Sequence, residues 1–282
     1  MNVLLLMLAV LPTFFLMVFI YYKDSYEKEP VGLLISLFAL GMVSVIPALI
    51  IETLGELLFS SMFGNNTSVY NFFNVFFCVA IAEEGGKYIF TYLRTWNNKN
   101  FNYKFDGIVY AVLVSLGFAT VENILYVMQG GLSVAIARGL LSVPSHAIDA
   151  VYMGYYYGLA KYYDSVGNTR FKNRCMVLSI IVPVILHGCY DYFLFEGTVL
   201  HLVVFLIFVV TLDVFAVIRI NKSSKKNMKI YRTNPQMYDM SYVQQGTFGW
   251  QRNAYMFCTN CGVKLNVNTF YCTNCGAPVH RI

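Results

Sequence analysis

Seven stretches of this chain are long and apolar enough to cross a bilayer, and that constrains the fold more than anything else in the sequence. They cover roughly residues 2–22, 31–57, 70–93, 106–129, 132–160, 175–195 and 199–220. Across 282 residues, 57% are hydrophobic and only 12% charged, against about 25% charged in an average soluble domain. A soluble fold of this length cannot hide so much apolar surface, so the expectation is an all-α polytopic membrane protein of about seven transmembrane helices. The first run lacks a basic lead-in and a small-residue cleavage site, so it reads as a retained helix rather than a signal peptide.

Orientation follows from the Lys and Arg residues. They fall in alternate connections: Lys23 and Lys28 after the first run, Arg94, Lys99 and Lys104 after the third, Lys161, Arg170, Lys172 and Arg174 after the fifth. Arg219, Lys222, Lys225, Lys226 and Lys229 open the segment after the last. The intervening connections "SSMFGNNTSV", "QGG" and "EGT" contain none. This alternation places the N-terminus outside and the C-terminus in the cytoplasm. The basic residues are scattered between apolar runs, so the net charge of +5 does not point to nucleic acid. Lipid is the surrounding partner.

The chain divides into a membrane domain over 1–220, a polar linker over 221–254 and a tail over 255–282. The tail carries two C-x-x-C pairs, Cys258 with Cys261 and Cys272 with Cys275, each followed by Gly. Such knuckles aim two thiolates at one tetrahedral ion, and two knuckles close a four-cysteine site. Disulfides rarely persist in a reducing cytoplasm, so a structural Zn2+ in a small zinc ribbon is the expectation.

Ionisable residues inside membrane runs are costly, roughly 2.5–3.5 kcal/mol each at the bilayer centre on insertion scales. The third run nevertheless carries Glu83, Glu84 and Lys87, with the lysine four and three residues from the two carboxylates and able to reach both. Glu122 lies in the fourth run, Arg138, His146 and Asp149 in the fifth, and His187 and Asp191, at i and i+4, in the sixth. Taken singly, each has a structural explanation: an internal ion pair, a helix-to-helix hydrogen bond, or, for Arg138, snorkelling to the interface. Depth separates the readings. At ~1.5 Å per residue, Glu83 lies ~16 Å from the basic end of its run, His187 ~20 Å, His146 ~22 Å, and Glu122 and Asp191 near 24 Å. Four helices therefore bring polar groups to overlapping depths in the middle or outer half of a core about 30 Å thick.

Those residues also carry a resemblance. E-E-x-x-K at Glu83 to Lys87, F-x-x-x-E-x-x-x-Y at Phe118 to Tyr126, His-Ala at His146 and H-G-x-x-D at His187 to Asp191 together resemble the PrsW family of bacterial intramembrane proteases. That family is related to the CAAX prenyl proteases, whose pattern is E-E-x-x-x-R, F-x-x-x-H and H-x-x-x-N or -D. The Lys87 spacing, and Glu122 where the prenyl enzymes have His, favour PrsW. The resemblance implies site-1 cleavage of a single-pass membrane protein such as an anti-sigma factor.

Peptide hydrolysis needs an activated water, a group that stabilises the oxyanion and a proton donor for the leaving amine. Glu84 or Glu83 is the candidate base, His187 a carbonyl polariser or metal ligand oriented by Asp191, and Lys87 the group that keeps a glutamate ionised. Two mechanisms stay open. In one, carboxylates act without metal; in the other, His146, His187 and a glutamate, Glu122 among the candidates, hold a catalytic Zn2+. The metal reading is favoured because a divalent cation relieves repulsion among buried carboxylates. An ion-coupled transporter and a non-catalytic adaptor signalling through the ribbon are the competing functional classes.

Overall fold

The computed structural model describes residues 3–64, 67–230, 255–258 and 263–266. Helices α1 (Val3–Lys23) and α2 (Val31–Phe63) come first. A continuous helical stretch follows, made of α3 (Ser68–Phe73), a π-helix (Asn74–Ala80) and α4 (Ile81–Thr95). Then come α5 (Asp106–Ala137), a second π-helix (Arg138–Ser142), α6 (Val143–Ser165), α7 (Thr169–Glu196) and α8 (Val199–Lys225). The protein is an all-α membrane protein.

Among the described residues, five helices have the length and apolarity to span a membrane, with Asp106–Ser165 counted as one. That 60-residue stretch turns at Gly131, whose φ of 69° lies in the left-handed region open to glycine. The turn falls at the expected break between the fourth and fifth runs. The third run, at 70–93, is not among the five. It is helical throughout, but interrupted by the π-helix and laden with Glu83, Glu84, Lys87 and Arg94.

Helix α5 is the axis of the bundle: from Asp106 to Thr120 every residue is buried, and it packs against α1, α2, α4 and α6. Small residues make that possible. A Cβ at Gly107 would strike the backbone of Gly154 and Gly158, so α5 and α6 cross with their main chains in contact. Such a crossing positions side chains on the two helices to within a fraction of a residue. The largest core cluster, with Phe101, Phe105, Tyr110, Met153 and Tyr157, fills the bundle between its basic end and the polar groups further along.

At the basic end the connections are stitched together. Asn102 donates to Glu27 at 3.1 Å, Lys161 to the Trp96 carbonyl at 2.6 Å, and Ser25 and Ser224 hydroxyls meet at 3.3 Å. Past α8, residues 227–230 lie along the α4–α5 connection: Lys104 N–H donates to Met228 O at 3.0 Å and Ile230 N–H to Asn102 O at 2.6 Å. Strands β1 (Tyr255–Phe257) and β2 (Lys264–Asn266) form an antiparallel hairpin, closed by the Cys258 N–H bonding Val263 O at 2.9 Å. Cys258 is buried. Cys261, Cys272 and Cys275 lie outside the described residues, as do residues 231–254.

Candidate active site

The two local pairings read from helical periodicity form as the spacing requires. Lys87 Nζ donates to Glu83 Oε2 at 3.0 Å and to Glu84 Oε1 at 2.8 Å. His187 Nε2 lies 3.3 Å from Asp191 Oδ2, one turn along α7. The π-helix ends immediately before α4; its extra residue per turn rotates the glutamates inward relative to an unbroken α-helix.

The contacts between helices complete the site. Lys87 Nζ is also 3.1 Å from His146 Nδ1 on α6, and His187 Nδ1 on α7 is 2.9 Å from Glu84 Oε1. His146 Nε2 meets Glu122 Oε2 at 2.7 Å. With the ammonium donating to Nδ1, the His146 ring offers its Nε2–H to Glu122, and the partners set the tautomer. Asp149 Oδ2 stands 3.9 Å from His187 Nδ1, and Glu83 Oε2 3.9 Å from Nε2, so carboxylates surround that ring. All seven predicted residues, Glu83, Glu84, Lys87, Glu122, His146, His187 and Asp191, join one network drawn from four helices.

Burial is uneven. Lys87 and Glu84 side chains are 0% exposed, whereas Glu122, Arg138 and Asp191 keep 16%, 16% and 18%. The site is thus closed at Lys87 and open on the side of Glu122 and Asp191, the side further from the basic end. Both aromatic residues of the F-x-x-x-E-x-x-x-Y stretch cap cations: Lys87 Nζ sits 4.2 Å over the Phe118 ring and the Arg138 guanidinium 4.1 Å over Tyr126.

The donor set suits a metal ion. One ligand atom each from Glu83, Glu84, His146 and His187 lie within 4.8 Å of one another, all four residues buried. Glu84 Oε2 is sealed from solvent without a hydrogen-bond partner, a buried acceptor with capacity to spare. Two imidazoles with carboxylates is the ligand chemistry of hydrolytic zinc sites. Glu122 lies outside this quartet, its Oε2 engaged by His146 and, at 2.9 Å, by Arg138 Nη2.

The interface reading of Arg138 does not describe its place here. The side chain turns into the site, pairing with Glu122 and donating from Nε to Asn123 Oδ1 at 2.9 Å, while Asn123 Nδ2 donates to the Ala9 carbonyl at 2.8 Å. The Nη2 contact lacks hydrogen-bond alignment and acts as an ion pair. Two further acidic groups were not assigned to the site from sequence. Asp149, three residues after His146, shares its helix face. Glu52 on α2 is half-buried and within electrostatic reach of Glu122, His187, Lys87 and Asp191. The carboxylates of Glu52 and Glu56, inside the 31–57 run, were the available signal.

This arrangement, a membrane bundle enclosing paired glutamates, two histidines and a lysine, is a candidate hydrolytic site of a membrane enzyme. Residues 29–217 match the family model described as PrsW family intramembrane metalloprotease. The chain is 37% identical over 186 residues to Protease PrsW of Bacillus subtilis (strain 168), covering 66% of this chain and 80% of that one. It is 37% identical over 186 residues to Protease PrsW of Geobacillus kaustophilus, covering 66% and 77%. Against Protease PrsW of Clostridioides difficile (strain 630), identity is 30% over 235 residues, covering 82% and 95%. No solved structure matches. The chain belongs to the PrsW family of intramembrane proteases.

Proposed function

We propose that this protein is a metal-dependent endopeptidase of the bacterial cell membrane that cuts a single-pass membrane protein, of the anti-sigma-factor class, in the outer half of the bilayer. The observation that carries this reading is the buried quartet Glu83, Glu84, His146 and His187 gathered around Lys87. Its partial opening at Glu122 and Asp191 supports entry of water and an extended peptide from the outer side.

His146 and His187 with one of the two glutamates would hold the ion, leaving the other glutamate free. A bound Zn2+ supplies Lewis acidity and makes water easier to deprotonate. The chain's own groups do the rest. The free glutamate takes a proton from water and returns it to the leaving amine. Lys87 holds the two glutamates in register through its two hydrogen bonds, and Asp191 fixes the His187 ring. Glu122, itself held by Arg138, fixes His146. Five acidic groups, Glu83, Glu84, Glu122, Asp149 and Asp191, crowd around His146 and His187, and a divalent cation among them would relieve repulsion between carboxylates. In the same reading the 255–282 tail holds one structural Zn2+ through its four cysteines, apart from the membrane chemistry.

The test is a comparison of protein N-termini in membranes of cells producing the wild type or Glu84→Ala. New termini beside the spanning segments of single-pass proteins, present only with the wild type, support the protease. If both samples give the same termini while Glu84→Ala accumulates normally, a transporter or an adaptor explains the site instead. Orientation is checked separately: reporters fused after Asn65 and Asn221 are expected to report outside and inside, and the same side for both would remove the basis for outer-half cleavage.

A further inference from the structure

The basic end of the bundle also buries acid. Asp24, on the α1–α2 connection, is 1% exposed, and its Oδ1 is sealed without a hydrogen-bond partner. The Lys28 ammonium beside it donates to the carbonyls of Tyr21 and Asp24 rather than to a carboxylate. Asp106, at the start of α5, is likewise 1% exposed; its Oδ2 accepts the N–H groups of Asn102 at 3.0 Å and Tyr103 at 2.7 Å, but Oδ1 has no partner. Glu29 is buried and accepts the Tyr110 hydroxyl at 2.8 Å, one turn along α5 from Asp106. Asn102 donates to Glu27, while its own Oδ1 is sealed and unpartnered.

Asp24, Glu29 and Asp106 lie within electrostatic reach of one another, and none forms an ion pair with Lys, Arg or His among the described residues. Of the six sealed, unpartnered side-chain atoms among the described residues, three, Asp24 Oδ1, Asn102 Oδ1 and Asp106 Oδ1, belong to the α1–α2 connection and the start of α5, which the Asn102–Glu27 and Tyr110–Glu29 hydrogen bonds join. Buried anions and acceptors in that state are costly unless something else satisfies them.

We propose that this junction binds a hydrated divalent cation, Mg2+, which ties the α1–α2 connection to the start of α5. Every donor is a hard oxygen, with no thiolate or imidazole among them, the ligand set that suits Mg2+ or Ca2+ over zinc. Among the described residues, only the membrane quartet brings three or more His, Cys or acidic ligand atoms within 4.8 Å. The junction therefore suits an ion that keeps several waters and takes one or two carboxylates directly, as Mg2+ does. The position has consequences at both ends: α5 runs on to Phe118 and Glu122, and Asn102 O receives the N–H of Ile230, the last residue before the segment that leads to the tail.

The test uses the full chain in detergent, stripped of divalent ions, with thermal unfolding followed above pH 7 as MgCl2 is raised to about 10 mM. The wild-type midpoint rises and saturates. Asp24→Asn and Asp106→Asn lose that rise and start at or above the cation-free wild type, because the amide removes a buried charge. His187→Ala keeps the rise, which separates this junction from the membrane quartet. No saturating rise in the wild type, or a rise undiminished in both Asn variants, overturns the site. Should neither Asn variant fold, Tb3+ luminescence sensitised by the neighbouring tyrosines of the wild type decides: displacement by Mg2+ supports the site, and no displacement overturns it.

Discussion

Glu84→Gln lowers cleavage of a membrane substrate by about 10²–10⁴-fold, the range for loss of a positioned acid or base. Glu84 is the residue on which most of the site depends: Oε1 accepts from Lys87 and His187, and Oε2 is sealed and free. The amide keeps the volume but cannot take a proton from water, and an NH2 group at the Oε1 position would face the Lys87 ammonium, which already donates. Rates are measured on a reporter carrying a spanning segment found by terminal mapping, with yield and thermal unfolding of the variant as controls. Lys87→Met has a different signature. It leaves Glu83 and Glu84 buried without their counter-charge, which costs about 3–5 kcal/mol of stability. Unchanged cleavage by Glu84→Gln would reject the roles assigned to this residue.

Removal of the metal has the second large effect. A chain truncated before Tyr255, and so free of the tail's cysteines, is expected to purify with about one equivalent of metal. His146→Ala and His187→Ala each lose that metal, read directly as metal content, and strong chelator abolishes cleavage by the truncated chain. Both histidines are held from behind, His146 by Glu122 at 2.7 Å and His187 by Asp191 at 3.3 Å. Glu122→Gln should therefore weaken metal retention about 10–100-fold without eliminating it. A metal-free core that still cleaves in chelator would instead assign the chemistry to the glutamates alone.

How much of this was legible in the sequence differs residue by residue. The Lys87 contacts with Glu83 and Glu84 and the His187 contact with Asp191 follow from three- and four-residue spacing on one helix. The break at Gly131 follows from adjacent glycines between two apolar runs. The interruption of the third run by a π-helix had no such signal, since one extra residue in a turn leaves the apolar pattern intact. For Arg138 the sequence offered snorkelling to the interface as its structural explanation. Only the approach of α5 shows that Glu122 and Asn123 are there to receive it.

Sequence by itself determined the membrane environment and the four helices whose charged residues join the site, because the cost of an ion in hydrocarbon makes each such residue conspicuous in an apolar run. It also determined the local ion pairs, which are properties of 3.6-residue periodicity. Only the tertiary structure decided which groups meet across helices: Lys87 with His146, Glu84 with His187, Glu122 with Arg138, and Glu29 with Tyr110. Those meetings depend on how far each helix is rotated about its axis and how closely two backbones approach. Rotation is set by the π-helices, and approach by contacts such as that of Gly107 with Gly154 and Gly158. Neither is encoded in the order of residues along any single helix; both arise from the packing of side chains that are far apart in the chain.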